Sequence, residues 1–273
     1  MKEFFVKKNE HYFSIPSWED MDSRLTVGFT TKNGGVSKGS YNSLNTGFHV
    51  ADEKKDVVKN RGLIAEKVKI PLQCWVGAKQ THRNHIVHVT KAFRGQGAAD
   101  YESAINDTDG LYTTEKGVLL TLCFADCVPI YYYAPKHGYI GIVHAGWKGT
   151  VAEIAVKMID KWKEHGIDPK DIMTAIGPSI CGNCYIVDDK VIKQVRTIIG
   201  EQAVKPYYEI EEGQYHLDLK ELNRFILNKA GVQDVLVTNL CTSCQKDEFF
   251  SHRRDLGKTG RLMSFIGWKE DSL

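Results

Sequence analysis

Three residues of this 273-residue chain pair a reactive side chain with a place where a strand should end. His144 closes the hydrophobic run YIGIVHA and stands just before GWKGT. Cys127 follows Asp126 in ADCVPI, at a break between two apolar runs, and His82 ends the stretch AKQTH. Strand ends that lead into loops commonly carry functional groups. A small cysteine is ordinarily core filler, and a lone histidine is as readily a packed, hydrogen-bonded residue as a ligand. Position argues for chemistry here. A break in a sheet is a poor place for a filler, and Cys127 and His144 flank one hairpin, so their side chains can meet. Two imidazoles and one thiolate suit zinc or copper, and three protein ligands leave a position open for water or substrate. His85 and His88 share the segment with His82, but a spacing of three and three aligns neither on a strand nor well on a helix. Surface or packing roles are expected for them. Asp109, in DTDGLYTT, and Asp126 are candidates to support the site or to move protons.

The anion-binding candidates are arginines. Arg253 and Arg254 sit in FFSHRRD, Arg261 ends TGR, and Arg61 follows Asn60. A guanidinium fork grips phosphate bidentately, whereas an exposed salt-bridged arginine contributes little. The latter role is expected for one of the adjacent pair. The Gly-rich stretch KNGGVSKGSY (32–41) would let backbone approach a ligand, but it is not a Walker sequence. CGNC (181–184) and CTSC (241–244) form a pair of C-x-x-C units, elsewhere a structural-zinc signal. Nearly sixty residues separate them, a longer insert than zinc ribbons usually have. Core packing with incidental thiols is therefore expected there.

The elements that must position these groups alternate along the chain. Strands are predicted at 24–31, 118–124, 128–134, 139–145, 234–240 and 261–268, all rich in β-branched and aromatic residues. PKHG (135–138) reads as a hairpin turn. In YIGIVHA the alternation puts Ile140, Ile142 and His144 on one face. Thr150 and Glu153 have the spacing of a capping box, followed by an apolar face of Val151, Ile154, Ala155, Met158, Ile159 and Trp162, with Gly166 as the stop. Asp218 and Glu221 repeat that logic before a helix carrying Leu219, Leu222 and Ile226. Further helices are predicted at about 52–68 and 188–199. No repeat, linker or shift in composition divides the chain, so one mixed α/β domain over 1–273 is expected.

Bulk composition removes several function classes. Apolar residues are 42% and charged residues 26%, and 36 basic side chains nearly balance 34 acidic ones. That is no concentrated basic face for nucleic acid. No run approaches the roughly 20 apolar residues that cross a membrane, and the apolar patch near the N-terminus is too short for a signal-peptide core. A cytoplasmic protein with reduced thiols is expected, so the seven cysteines read as core residues, ligands or nucleophiles before disulfides.

Several longer stretches then converge. NGGVSKGSYNSLNTGFHVAD, VVKNR, KQTH, DTDGLYTT, FADCVPI, VHAGWKGT, AIGPSICGNCY and FFSHRRDLGKTGR occur in order between about residues 24 and 268. Together they resemble the family first labelled multicopper polyphenol oxidase or laccase-like, whose members are now regarded as purine nucleoside phosphorylases with adenosine deaminase activity. The resemblance implies zinc held by the histidine of Q-x-H, the cysteine of A-D-C and the histidine of H-A-G-W, which fall on His82, Cys127 and His144. It also implies mixed β-sheets in an α-β-β-α layered arrangement. The partners it implies are small molecules, purine nucleosides such as adenosine, inosine and methylthioadenosine, together with phosphate.

Phosphorolysis requires phosphate held against the ribose anomeric carbon, which makes Arg61, Arg253 and Arg254 the expected grip. Deamination would use water activated by the metal. The H-x-E and P-C-x-x-C signature of cytidine-type zinc deaminases is absent, so that chemistry would be independently arranged. Two other classes fit the same residues. Cys127 and His144 could act as a metal-free nucleophile and base of a hydrolase or deamidase. Copper at the same ligands could oxidise phenols, although a true multicopper oxidase needs far more histidines.

Overall fold

The longest apolar runs of the sequence become the central strands. A computed structural model describes residues 2–201 and 205–270. One six-stranded sheet contains β1 (Val6–Lys7), β2 (Tyr12–Ser14), β3 (Leu25–Thr30), β4 (Trp75–Gly77), β7 (Val118–Phe124) and β15 (Leu262–Trp268), in the order β1-β2-β3-β15-β7-β4. A second contains β5 (Ile86–His88), β6 (Gly110–Thr113), β8 (Val128–Ala134), β9 (Tyr139–Ala145), β10 (Met173–Ile176) and β14 (Asp234–Val237), in the order β14-β10-β8-β9-β6-β5. Both are mixed: β4 with β7, β5 with β6 and β10 with β14 run parallel, and the remaining pairs antiparallel. A small antiparallel sheet of β11 (Ile186–Asp188), β12 (Tyr207–Glu211) and β13 (Gln214–Leu217) lies apart from both.

The two large sheets face each other across one apolar layer. Val27, Phe29, Leu120, Leu122, Phe124 and Ile266 of the first meet Leu111, Tyr131, Tyr133, Ile140 and Ile142 of the second. The outer face of the second sheet is covered by α4 (Ile154–Lys163), α5 (Asp189–Ile199) and α6 (Leu219–Lys229). That of the first carries α2 (Lys54–Val68), whose Ile64 and Val68 pack on Leu119, Met263 and Phe265. The order of layers is therefore α-β-β-α. Each fully buried Leu, Ile, Val or Phe contributes about 1.5–3 kcal/mol by leaving water, so the three apolar layers together fix the sandwich. Short α1 (Pro16–Glu19) buries Trp18 in the layer between the sheets. Among the described residues, no helix is long and apolar enough to cross a membrane.

Runs 118–124, 128–134 and 139–145 form strands with those bounds, and PKHG closes the β8–β9 hairpin, with Ala134 opposite Tyr139. The expected capping box is corrected. The chain is already helical in α3 (Trp147–Val151), breaks at Ala152 and restarts as α4 after Glu153, which has φ 55°. The Thr150 hydroxyl donates to the Ala145 carbonyl at 3.2 Å and accepts from Asn223, so it is unavailable as a cap. Asp218 does cap α6, accepting from the Lys220 and Glu221 amides. The strand predicted at 234–240 ends at Val237.

Candidate metal centre and pocket

Pairing Val128 with Ala145 brings the start of β8 and the end of β9 together, at the end of the hairpin opposite PKHG. Cys127 and His144 thus meet at one edge of the layer between the sheets, where the Phe124 ring of β7 packs edge-on against the imidazole at 5.2 Å. His144 is 3% exposed. Its backbone amide donates to the Asp109 carbonyl at 2.7 Å, and its Nδ1 lies 2.8 Å from Asp109 Oδ1.

Asp109, just before β6, is fully buried and holds more than one histidine. Its carboxylate accepts the amides of Thr81, His82 and Arg83 at 3.1, 3.0 and 2.9 Å. Burial alone would raise its pKa, but the hydrogen bond and charge of His144 and these amides outweigh it, so the carboxyl is held below its ordinary value. The three amides fix the turn that carries His82, which has φ 60°. The His82 and His144 rings stand at 81° with centroids 4.7 Å apart.

Asp126 plays a different part from the one expected. With φ 85°, it turns the chain into Cys127, and its carboxylate is bonded to none of the three donors. It accepts the Thr242 hydroxyl at 2.6 Å, the Ser251 hydroxyl at 3.0 Å and the Arg253 amide at 2.7 Å. Its work is to tie the 242–253 segment to the turn that carries Cys127 into β8.

One ligand atom each from His82, Cys127 and His144 lies within 4.8 Å of the others. The set fits a tetrahedral metal. Asp109 occupies Nδ1 of His144 and leaves Nε2 for a ligand bond, an arrangement common behind metal-binding histidines. Gly146 completes the cradle, because a Cβ there would stand 2.8 Å from Cys127 Sγ. Burial opposes ionisation of both Cys127 and His144, yet their mutual attraction prevails. The Cys127 thiol is lowered to about 6, and His144, aided by Asp109, is raised to about 9. Each group thus favours the charged form of the other.

These donors line a cavity of about 230 Å³ together with His49, Gln80, Tyr101, Cys123, Ala125, His252 and Arg261. Gln80 is fixed by two hydrogen bonds with the Cys123 backbone, at 2.9 and 2.7 Å. Burial, then the charges of Arg261 and Arg61, lowers the pKa of His49 to about 4, so it is neutral. Arg261 gives Nη1 to the carbonyls of Thr259 and Gly260, and its Nε and Nη2 have no partner among the described residues.

Of the arginines expected to grip phosphate, none of Arg61, Arg253 and Arg254 lines this cavity. Arg61 is buried under Phe48 and donates to the carbonyls of Thr46, Gly97 and Ala98. Arg254 commits all five donors, to the carbonyls of Thr242, Ser243 and Phe249 and twice to Asp255. Arg253 is exposed, lies over the Tyr185 ring and donates to the Ile186 carbonyl. The Gly-rich stretch also lies elsewhere, with its Val36 amide bonded to Asn60 on α2. His85 bonds the Asp107 carbonyl and His88 stacks on Tyr112, both away from the donors. Composition signals charge but not which donors the fold consumes; Arg261 stood out only as the end of TGR.

Residues 26–269 match the family of multi-copper polyphenol oxidoreductase laccases. The chain belongs to this family. Among relatives of this laccase-like chain, Bacillus subtilis purine nucleoside phosphorylase YlmD is 51% identical over 252 residues, 91% of this chain and 90% of the relative. A Staphylococcus epidermidis purine nucleoside phosphorylase is 36% identical over 272 residues, 98% of this chain and all of the relative. The crystal structure of Geobacillus stearothermophilus YlmD superposes with a TM-score of 0.95 at 46% identity, covering 98% of this chain and 100% of the other. In this laccase-like protein a second donor set also converges: one sulfur each from Cys181, Cys184, Cys241 and Cys244 lies within 4.8 Å of the others. Core packing was expected for these thiols, but Cys181 and Cys184 are half-buried and Cys244 is exposed.

Proposed function

We propose that this protein is a zinc-dependent purine nucleoside phosphorylase with adenosine deaminase as a side activity. It would cleave adenosine, inosine and methylthioadenosine with phosphate to the free base and ribose 1-phosphate or its methylthio analogue. The observation that carries the reading is one cavity holding both a three-donor metal set and Arg261, an arginine with unused donors. Relatives named purine nucleoside phosphorylase, matching about nine-tenths of the chain, support the reaction class. The partners are small molecules, with no nucleic acid and no membrane. The balanced charge supports that reading, and free thiols at all seven cysteines support a cytoplasmic setting.

His82, Cys127 and His144 would hold the zinc, which when bound supplies a Lewis acid able to activate water or polarise a substrate atom. Asp109 keeps a proton on Nδ1 of His144 and orients the ring. Arg261 would hold phosphate through Nε and Nη2, with the charge-assisted geometry that suits an oxyanion. A phosphate oxygen then bonds to ribose C1′ as the bond from C1′ to the purine nitrogen breaks, and the departing purine takes the electron pair and the proton that hydrogen phosphate gives up. Tyr101 and neutral His49 form a wall that suits an uncharged base or ribose.

The test uses product identity. Adenosine with zinc-loaded protein and phosphate should give adenine and ribose 1-phosphate. Without phosphate, adenine should not accumulate, while slower inosine formation continues because water is its co-substrate. Adenine release that ignores phosphate would make the protein a hydrolase, and no purine product at all would remove the nucleoside assignment.

A second reading draws on Cys127 beside His144, itself backed by Asp109, the arrangement of a metal-free cysteine nucleophile with its base. Turnover of an amide or ester unaffected by chelators would favour it.

A further inference from the structure

The four cysteines outside the pocket converge because of the fold. Strands β10 and β14 pair in parallel, so the turns that follow them emerge side by side. Ser179 bridges Cys241, and the Thr242 amide donates to the Ser179 carbonyl at 3.2 Å. The residues between the two C-x-x-C units fold out as α5, the small sheet and α6, then return along β14. Their number therefore does not measure the distance between the thiols.

We infer that Cys181, Cys184, Cys241 and Cys244 bind one zinc ion as a closed structural site, separate from the metal centre of the pocket. The sulfurs of Cys181 and Cys184 lie 3.9 and 3.4 Å from that of Cys244, and all four lie within 4.8 Å of one another. Zinc–sulfur bonds of about 2.3 Å place tetrahedral thiolates about 3.8 Å apart. The spacing matches a shared ion. A disulfide needs sulfurs about 2.05 Å apart and would join only two of the four.

The local backbone points the same way. Each pair sits on a tight turn, with the Cys184 amide on the Cys181 carbonyl and the Gln245 amide on the Cys241 carbonyl, both at 3.0 Å. The amides of Cys181 and Cys244 both donate to Cys241 Sγ, at 3.3 and 3.4 Å. A sulfur receiving two amides is suited to carry the negative charge of a ligand, and such outer hydrogen bonds accompany metal sites. Incidental thiols that fill a core would be buried, and only Cys241 is.

The ion would reinforce the contact that the Ser179–Cys241 bridge already makes between the two loops. Through Cys241 it fixes Thr242, whose hydroxyl holds Asp126, the residue that turns the chain into Cys127. The carbonyls of Thr242 and Ser243 also receive Arg254. None of the four cysteines lines the cavity of the metal centre, and four protein ligands leave no open position for substrate. The role is structural.

The experiment counts metals and reads their ligands in the full chain. Reduced, zinc-saturated wild type should contain two zinc ions per chain. Cys184→Ser with Cys244→Ser should contain one, and so should Cys127→Ala. After exchange into cobalt, Cys127→Ala should keep the intense thiolate-to-cobalt charge-transfer bands of a four-thiolate site, and the double variant should retain only the weaker band of the single Cys127 thiolate. One zinc in the wild type, with content and spectrum unchanged by the double variant, would overturn the inference. Should the double variant fail to fold, thiol alkylation of the zinc-loaded wild type decides. Protection of Cys244 until a chelator is added supports the site. Immediate alkylation of Cys244, or a Cys184–Cys244 disulfide that persists in thiol buffer, rules it out.

Discussion

Among the described residues, two groups of side chains could hold a metal ion, and they are built in opposite ways. His82, Cys127 and His144 sit at the end of the layer between two sheets, backed by a fully buried carboxylate, and face a cavity of about 230 Å³. Cys181, Cys184, Cys241 and Cys244 sit on two surface turns with no part in that cavity. The first set leaves a tetrahedral ion one position short, and the second would complete it. Donor count and surroundings, more than ligand chemistry, separate a place for reaction from a staple.

The largest expected effect breaks the comparison most directly. Cys127→Ala should lower phosphate-dependent adenine release by at least about 100-fold, since loss of groups merely behind a metal already costs about 10–100-fold. Cys184→Ser should leave turnover at low temperature within about threefold of wild type and lower the thermal midpoint. Initial rates and melting curves of the two variants, measured side by side, check both halves. If the effects are reversed, the roles of the two sites are exchanged.

A smaller effect is expected at Asp109. Asp109→Asn keeps the shape but removes the charge that faces His144 and the 81–83 amides. Zinc affinity at the three-donor site should fall about 10–100-fold, measured by competition with a chromophoric chelator. Unchanged affinity would reduce Asp109 to a loop anchor.

The smallest effect concerns the anion. Arg261→Lys keeps the charge and loses the fork, so the apparent KM for phosphate should rise by about tenfold, or about 1.4 kcal/mol, and that for adenosine less. Arg254→Lys should leave both constants near wild type and lower stability, because its donors serve three carbonyls and Asp255. A phosphate effect at Arg254 and none at Arg261 would return the grip to the position first expected.

How much of this was legible depended on whether one local signal decided the outcome. Runs 118–124, 128–134 and 139–145 are apolar almost throughout because they are buried on both faces, and their bounds follow from the sequence alone. The same alternation placed His144 on the face toward the other sheet. Strands of three or four residues, such as β4, β5 and β11, carry too little pattern and exist because distant partners pair with them. Thr150 looked like a cap until Ala145 and Asn223 took its hydroxyl. The convergence of the four thiols is hidden in the sequence, where nearly sixty residues separate the two pairs, and the parallel β10–β14 pair brings them together. His49, Gln80 and Tyr101 carried no signal of their own, although His49 and Gln80 lie inside stretches that resembled the family.

The central claim is that chemistry depends on metal at His82, Cys127 and His144. Its most direct measurement is a zinc titration of metal-free Cys184→Ser with Cys244→Ser, in which the second site is disabled, following adenine release from adenosine and phosphate. Activity should start near zero, rise linearly with added zinc and level off at one equivalent per chain. Full activity before any zinc is added, or none after saturation of one tight site, would contradict it.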